Sequence, residues 1–221
     1  MNSSCSAVAP PGAARLVVGG LLLAAGAGRR MGLPKALVRW EGGLLVERGV
    51  ALLLSGGCDP VMVVLGARAD QVLASAHLAP AKVIVHNGWN EGMGSSLRAG
   101  LNALDEGKRR CDAVVVALVD QPLITSDAVR RLIGVWSARS PRPAATVATY
   151  AGRPRNPVLL GREAWDPALA AARGDTGARS FLRAGLSDGR VVPVPCDDAG
   201  MPDDIDTPEQ LATVHAKVEE G

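Results

Sequence analysis

Aromatic side chains are nearly missing from this chain: one Phe, one Tyr and four Trp make up 3% of 221 residues. So few rings exclude the nucleic-acid modules that stack bases on exposed aromatics. A dominant charge is missing too. With 24 basic against 22 acidic residues the net charge is +2, too weak a field to recruit DNA, RNA or an anionic membrane. The four cysteines, Cys5, Cys58, Cys111 and Cys196, never fall in the close pairs of zinc sites or redox motifs, and read as reduced thiols of a cytoplasmic protein. His77, His86 and His215 are scattered and suggest no metal triad. No apolar run approaches the roughly 20 residues that span a bilayer. Residues 1–15 lack a cationic start ahead of an apolar stretch, so they are expected to be a disordered arm rather than a secretory signal, with one domain over 16–221.

What the chain does have is aliphatic. Hydrophobic residues reach 48%, enough for one sizeable α/β core packed by Ala, Val and Leu. Strand-like runs at 16–24, 61–65, 83–86 and 113–119 alternate with helical patterns at 44–55, 69–76 and 95–106. That alternation implies parallel strands joined by right-handed crossovers, with helices on both faces of the sheet. After Asp127 the rhythm loosens: helix at 127–138, strands at 145–150 and 157–160, helix at 162–172, strand at 191–195, and a closing helix at 208–218 capped by Thr207. A substrate-facing insertion is expected there.

The first strand runs straight into Ala25-Gly26-Ala27-Gly28-Arg29-Arg30-Met31-Gly32-Leu33-Pro34-Lys35. Gly26, Gly28 and Gly32 permit positive φ and close approach of main-chain N–H groups, and Arg30 and Lys35 supply cations, which together suit a polyphosphate. Two better-known loops are excluded. The third glycine comes one residue late for a dinucleotide fingerprint, and the Gly-Lys-Ser/Thr ending of a P-loop is absent.

Two further loops carry chemistry. The strand at 113–119 ends in Asp120-Gln121-Pro122, at the carboxyl end where open α/β sheets bind ligands; taken alone, Asp120 fits a cap or turn equally well. The acidic stretch from Asp197 to Glu209 offers Asp206 as a second oxygen donor for a hard cation such as Mg²⁺, while Asp197, Asp198 and Asp203 read as a solvated loop. In Asn87-Gly88-Trp89-Asn90-Glu91-Gly92-Met93-Gly94-Ser95-Ser96, Gly92 and Gly94 allow close backbone approach. The serines cap a helix or read a base edge, and Trp89 is the one tryptophan placed to stack.

With these loops in this order, the chain resembles the MobA-like nucleotidyltransferases, and among them the molybdenum cofactor cytidylyltransferases, over residues 16–212. The matching segments are Leu23-Ala24-Ala25-Gly26 through Lys35, Gly92-Met93-Gly94-Ser95-Ser96, Asp120-Gln121-Pro122, Asn156-Pro157-Val158-Leu159, Gly174-Asp175-Thr176-Gly177 and Asp204-Ile205-Asp206-Thr207. The resemblance implies a single-domain Rossmann-like fold, α/β, with a mostly parallel central sheet covered by helices on both faces. It implies an NTP held by Leu23, Ala24, Ala25, Gly26, Gly28, Gly92 and Ser96, with Ala24, Ala25 and Ser96 along the base, and Ala25 in place of Gly points to CTP. Arg30 and Lys35 would lie on the phosphates, and Asp120 and Asp206 would hold Mg²⁺.

The acceptor it implies is the terminal phosphate of molybdopterin. Asn156 replaces a His of the family pattern as a polar contact. Asp175 and Arg179 fit either that phosphate or a surface pair. A transient contact with a molybdoenzyme or its chaperone would follow. Nucleotidyl transfer to another small phosphorylated acceptor stays open. So does an NAD(P)H-dependent oxidoreductase, since some sequences of similar appearance carry the label nicotine blue oxidoreductase, although the glycine spacing speaks against it. A non-catalytic carrier would gain nothing obvious from the pair Asp120 and Asp206.

Overall fold

The computed structural model describes residues 16–172, Gly174 and 177–219. The expected arm over 1–15 lies outside these residues, as does Asp175. In chain order the elements are β1 (Val18–Ala24), β2 (Arg39–Trp40), β3 (Gly43–Leu44), α1 (Leu45–Ser55), β4 (Val61–Leu65), α2 (Ala69–Ser75), β5 (Lys82–Val85), α3 (Met93–Asp105), β6 (Ala113–Leu118) and α4 (Ser126–Ser137). They continue with β7 (Ala145–Tyr150), β8 (Arg153–Gly161), α5 (Trp165–Ala171), α6 (Arg179–Ser187), β9 (Val191–Pro195) and α7 (Pro208–Glu219).

Seven strands form one sheet in the order β5-β4-β1-β6-β8-β7-β9. β1 lies parallel between β4 and β6, with Leu21 opposite Met62 on one side and Val116 on the other. Every residue of β1 and β4 is buried, as continuous apolar strands covered on both faces must be. Alternation along β1 divides the core in two. Leu22 and Ala24 join Val46, Val50 and Leu53 of α1 and Val129 and Leu132 of α4. Leu21, Leu23 and Ala25 face the other way, against Leu97, Leu101 and Leu104 of α3 and Trp165 and Phe181 of the later helices. Helices therefore cover both faces, as expected.

The sheet is mostly parallel, as expected, and three points go beyond or against the sequence reading. β8 alone runs antiparallel, to both β6 and β7, because Ala151 (φ 48°) and Gly152 (φ 70°) turn the chain within two residues and leave no room for a crossover. The stretch after Asp127 is no separate insertion: β7, β8 and β9 extend the central sheet, β7 pairing parallel to β9. Finally, α6 and the β2-β3 hairpin were not foreseen. Among the described residues no helix is long and apolar enough to cross a membrane.

Candidate active site

Asp120 leaves the carboxyl end of β6, and the chain returns to it 86 residues later. The Ile205 N–H donates to the Asp120 carbonyl at 2.9 Å, and the Ile205 side chain is fully buried. This buried residue anchors the loop and leaves Asp204 and Asp206 on either side. A cap fixes the main chain just beyond: the Gln210 N–H donates to Thr207 Oγ1 at 3.3 Å, and Gln210 Oε1 accepts the N–H groups of Asp206 (2.7 Å) and Thr207 (3.2 Å). Arg48 of α1 donates to the Pro122 carbonyl, holding the segment after Asp120.

Lys35 closes the cluster. Its Nζ donates to Asp120 Oδ2 and to Asp206 Oδ1, both at 2.6 Å, and Arg30 reaches Asp206 Oδ2 at 2.9 Å. Burial works against the Lys35 charge, yet the two carboxylates outweigh it and raise its pKa. The Lys35 hydrogen bond in turn lowers the Asp206 carboxyl, helped by Arg30. Burial and the Asp120 charge raise Asp204, whose Oδ1 accepts from Gln121 Nε2 at 2.8 Å. Both cations of the glycine loop therefore bind the carboxylates here, where the sequence reading put them on phosphates. Contacts spanning 85 and 171 residues cannot be read from local pattern.

A cavity of about 410 Å³ opens beside this cluster. Leu23, Ala25, Gly26, Gly28, Lys35, Gly92, Ser96 and Asp120 all line it. Ala24 is different: its side chain packs in the α1 and α4 layer, because neighbouring residues of a strand point to opposite faces, so only its main chain is left for the cavity. Arg30 is not on the wall, and its side chain is 70% exposed; Arg29 takes that place. Asn90 and Met93 also line it, with no sequence signal beyond lying in the glycine-rich turn, and Trp89 does line it. Ser95 does not cap α3, which starts at Met93 with Gly92 as its N-cap and no side-chain cap hydrogen bond; its Oγ donates to the Gly92 carbonyl at 2.8 Å and lies 3.0 Å from His86 Nε2.

The loop glycines have separate roles. Gly28 has φ 60°, and a Cβ there would lie 1.9 Å from the Leu33 carbonyl oxygen. Gly26 lacks a positive φ, against expectation, and a Cβ there meets nothing within 4 Å. Gly28→Ala is therefore expected to destabilise the fold by roughly 1–3 kcal/mol. Gly26→Ala should leave stability within about 0.5 kcal/mol of wild type while weakening nucleotide binding, since the added methyl enters the cavity. Thermal melts and nucleotide titrations of both variants check the pair.

A second cavity of about 690 Å³ lies beyond β6. Leu118 borders both, with Asp120 facing the first and Gln121 the second. Asn156 and Arg179 line the second cavity as the acceptor reading requires, joined by Arg155, Arg183, Asp203 and Asp204. Of the three aspartates read as a solvated loop, Asp203 instead lines this cavity, while Asp197 accepts the Ala151 N–H at 2.6 Å and Asp198 binds Arg131 through both oxygens at 2.5 and 2.7 Å, away from both cavities.

The donor set suits a hard divalent cation. Asp120 Oδ1 is buried without a hydrogen-bond partner, a spare acceptor beside a cluster of carboxylates. No group of three or more His, Cys, Asp or Glu is arranged for a metal among the described residues. Two carboxylates, with phosphate oxygens and water completing the shell, are what Mg²⁺ ordinarily takes.

Known proteins place this geometry in a family. Residues 20–191 match the MobA-like NTP transferase domain. The chain is 38% identical over 200 residues to nicotine blue oxidoreductase of Paenarthrobacter nicotinovorans, covering 88% of this chain and 94% of that protein. It is 25% identical over 201 residues to the molybdenum cofactor cytidylyltransferase of Escherichia coli K12, covering 90% and 96%. The manganese complex of Rv0371c from Mycobacterium tuberculosis H37Rv superposes with a TM-score of 0.72 at 26% identity, covering 90% of this chain and 97% of that one. A match running from β1 to β9 takes in the glycine loop and Asp120, and the chain belongs to the MobA-like NTP transferase family as a nucleotidyltransferase.

Proposed function

We propose that the protein transfers CMP from CTP to the terminal phosphate of molybdopterin or its molybdenum cofactor, with Mg²⁺, releasing pyrophosphate. The observation that carries this reading is the cluster of Lys35, Asp120 and Asp206 at the end of β6, beside the first of two adjoining cavities. The first cavity would take CTP. Leu23, Ala25 and Ser96 border the base, and Ala25 is the residue that CTP users of the family resemblance carry. The second, with Asn156 and Arg179, would take the acceptor.

In the transfer, an acceptor phosphate oxygen forms a bond to the α-phosphorus. The bond from that phosphorus to the α,β-bridging oxygen breaks, and pyrophosphate leaves with the electron pair. No protein nucleophile is needed, so catalysis rests on alignment and charge. Lys35 and Arg30 are the cations able to turn from the carboxylates toward the leaving phosphates, and Arg29 already faces the cavity. Asp120 and Asp206 would hold Mg²⁺, which supplies charge neutralisation at the phosphate oxygens.

A second reading is favoured by one observation, the 38% identity to a protein named nicotine blue oxidoreductase. It would place a nicotinamide dinucleotide in the first cavity. Purified protein offered each of the four NTPs, and separately NADPH with a quinonoid acceptor, decides between the two. Selective binding and turnover of CTP are expected; metal-independent loss of NADPH absorbance with no NTP turned over would replace this reading with the second.

A further inference from the structure

Three arginines open onto the second cavity: Arg155 of β8, and Arg179 and Arg183 one turn apart on α6. Among the described residues none of the three forms an ion pair with a carboxylate, which is equally true of Arg29, Arg39 and Arg98, so what sets them apart is their gathering on one cavity. Like charges four residues apart on a helix repel one another, and an anionic ligand bound among the three would relieve that repulsion. Asp203 and Asp204 are the acidic members of this cavity. Asp204 is tied to Gln121 and lies within electrostatic reach of Asp120 and Lys35, so that side adjoins the reacting end. Val147, Val158 and Leu186 add an apolar surface to the same cavity. Asp120 and Lys35 line the first cavity and not the second, and the three arginines line the second and not the first.

We infer that the second cavity selects an acceptor that is anionic at both ends. One end is the phosphate that attacks the nucleotide, and the other is a separate anionic group bound by Arg155, Arg179 and Arg183, with an apolar or planar body between them. The inference rests on the proposed nucleotidyl transfer and adds the acceptor class to it. An arginine can bind such a group through two parallel N–H bonds, and the planar fork discriminates against neutral ends.

The test is isothermal titration of the full chain with inorganic phosphate, after saturation of the first cavity with α,β-methylene-CTP and Mg²⁺. Wild type should still bind phosphate. The combined variant Arg155→Gln, Arg179→Gln, Arg183→Gln should lose at least 10-fold in phosphate affinity and keep its affinity for the CTP analogue. The Lys counterpart at all three positions should recover part of the loss. All three side chains are exposed, so circular dichroism should show an unchanged fold. Equal phosphate affinity in wild type and the Gln variant, or complete expulsion of phosphate by the analogue, overturns the inference. If the analogue itself fails to bind, the nucleotide reading fails instead, and phosphate titration of the free protein and the Gln variant still decides the arginine site.

Discussion

Asp120→Asn is expected to lower kcat for nucleotidyl transfer by about 10²–10³-fold, the scale seen when one preorganised electrostatic group is removed from a reacting centre. The amide can still accept from Lys35 Nζ, which now donates to Asp120 Oδ2 at 2.6 Å, so the cluster need not collapse. What it loses is the charge, and with it the buried Oδ1 that has no partner in the protein. An NH2 group in that place donates where a cation needs an acceptor. The fold should therefore survive with a loss of about 1–2 kcal/mol, while Mn²⁺ binding followed by paramagnetic resonance disappears. Unchanged Mn²⁺ affinity in this variant would remove Asp120 from the metal site.

Lys35→Met should move two quantities in opposite directions. Turnover is expected to fall by about 10²–10³-fold, because a cation able to meet developing phosphate charge is gone. Binding of Mn²⁺ alone should tighten several-fold. In the wild-type protein the Lys35 ammonium lies between the Asp120 and Asp206 carboxylates, and its raised pKa shows how strongly they hold it. A metal must displace that charge; with Met it meets two carboxylates offset by Arg30 alone. In wild type, nucleotide should strengthen Mn²⁺ binding by drawing Lys35 toward the phosphates. Titrations of both proteins with and without CTP check this, and tighter Mn²⁺ binding with undiminished turnover would deny Lys35 its role in transfer.

The layered fold was legible because its signal is local. Buried strands such as Val18–Ala24 and Val61–Leu65 are short apolar runs between turn residues, and helices such as α4 keep an apolar face at helical spacing. The antiparallel β8 was not legible, because strand direction follows from a two-residue turn at Ala151 and Gly152 that carries no strong hairpin sequence. The helix α6 was missed in a stretch where only Phe181, Leu182 and Leu186 repeat, and with it went the spacing that puts Arg179 and Arg183 on one face. Within the site, the glycine loop and Asp120 announced themselves by residue type at a strand end. Asp206 was found through its acidic company and the family resemblance. Asp204 was passed over, although the buried Ile205 between the two aspartates marks an anchored loop rather than a solvated one. The grip of Lys35 on both carboxylates is a product of tertiary closure, invisible in any local window.

The central claim is nucleotidyl transfer at the Asp120 end of β6, and pyrophosphate release tests it most directly. Purified protein is mixed with CTP, Mg²⁺ and molybdenum cofactor, and pyrophosphate is followed with acceptor present and absent. Release that requires CTP, metal and acceptor together is the predicted result. A folded protein that binds the cofactor yet releases no pyrophosphate from any NTP would contradict the account.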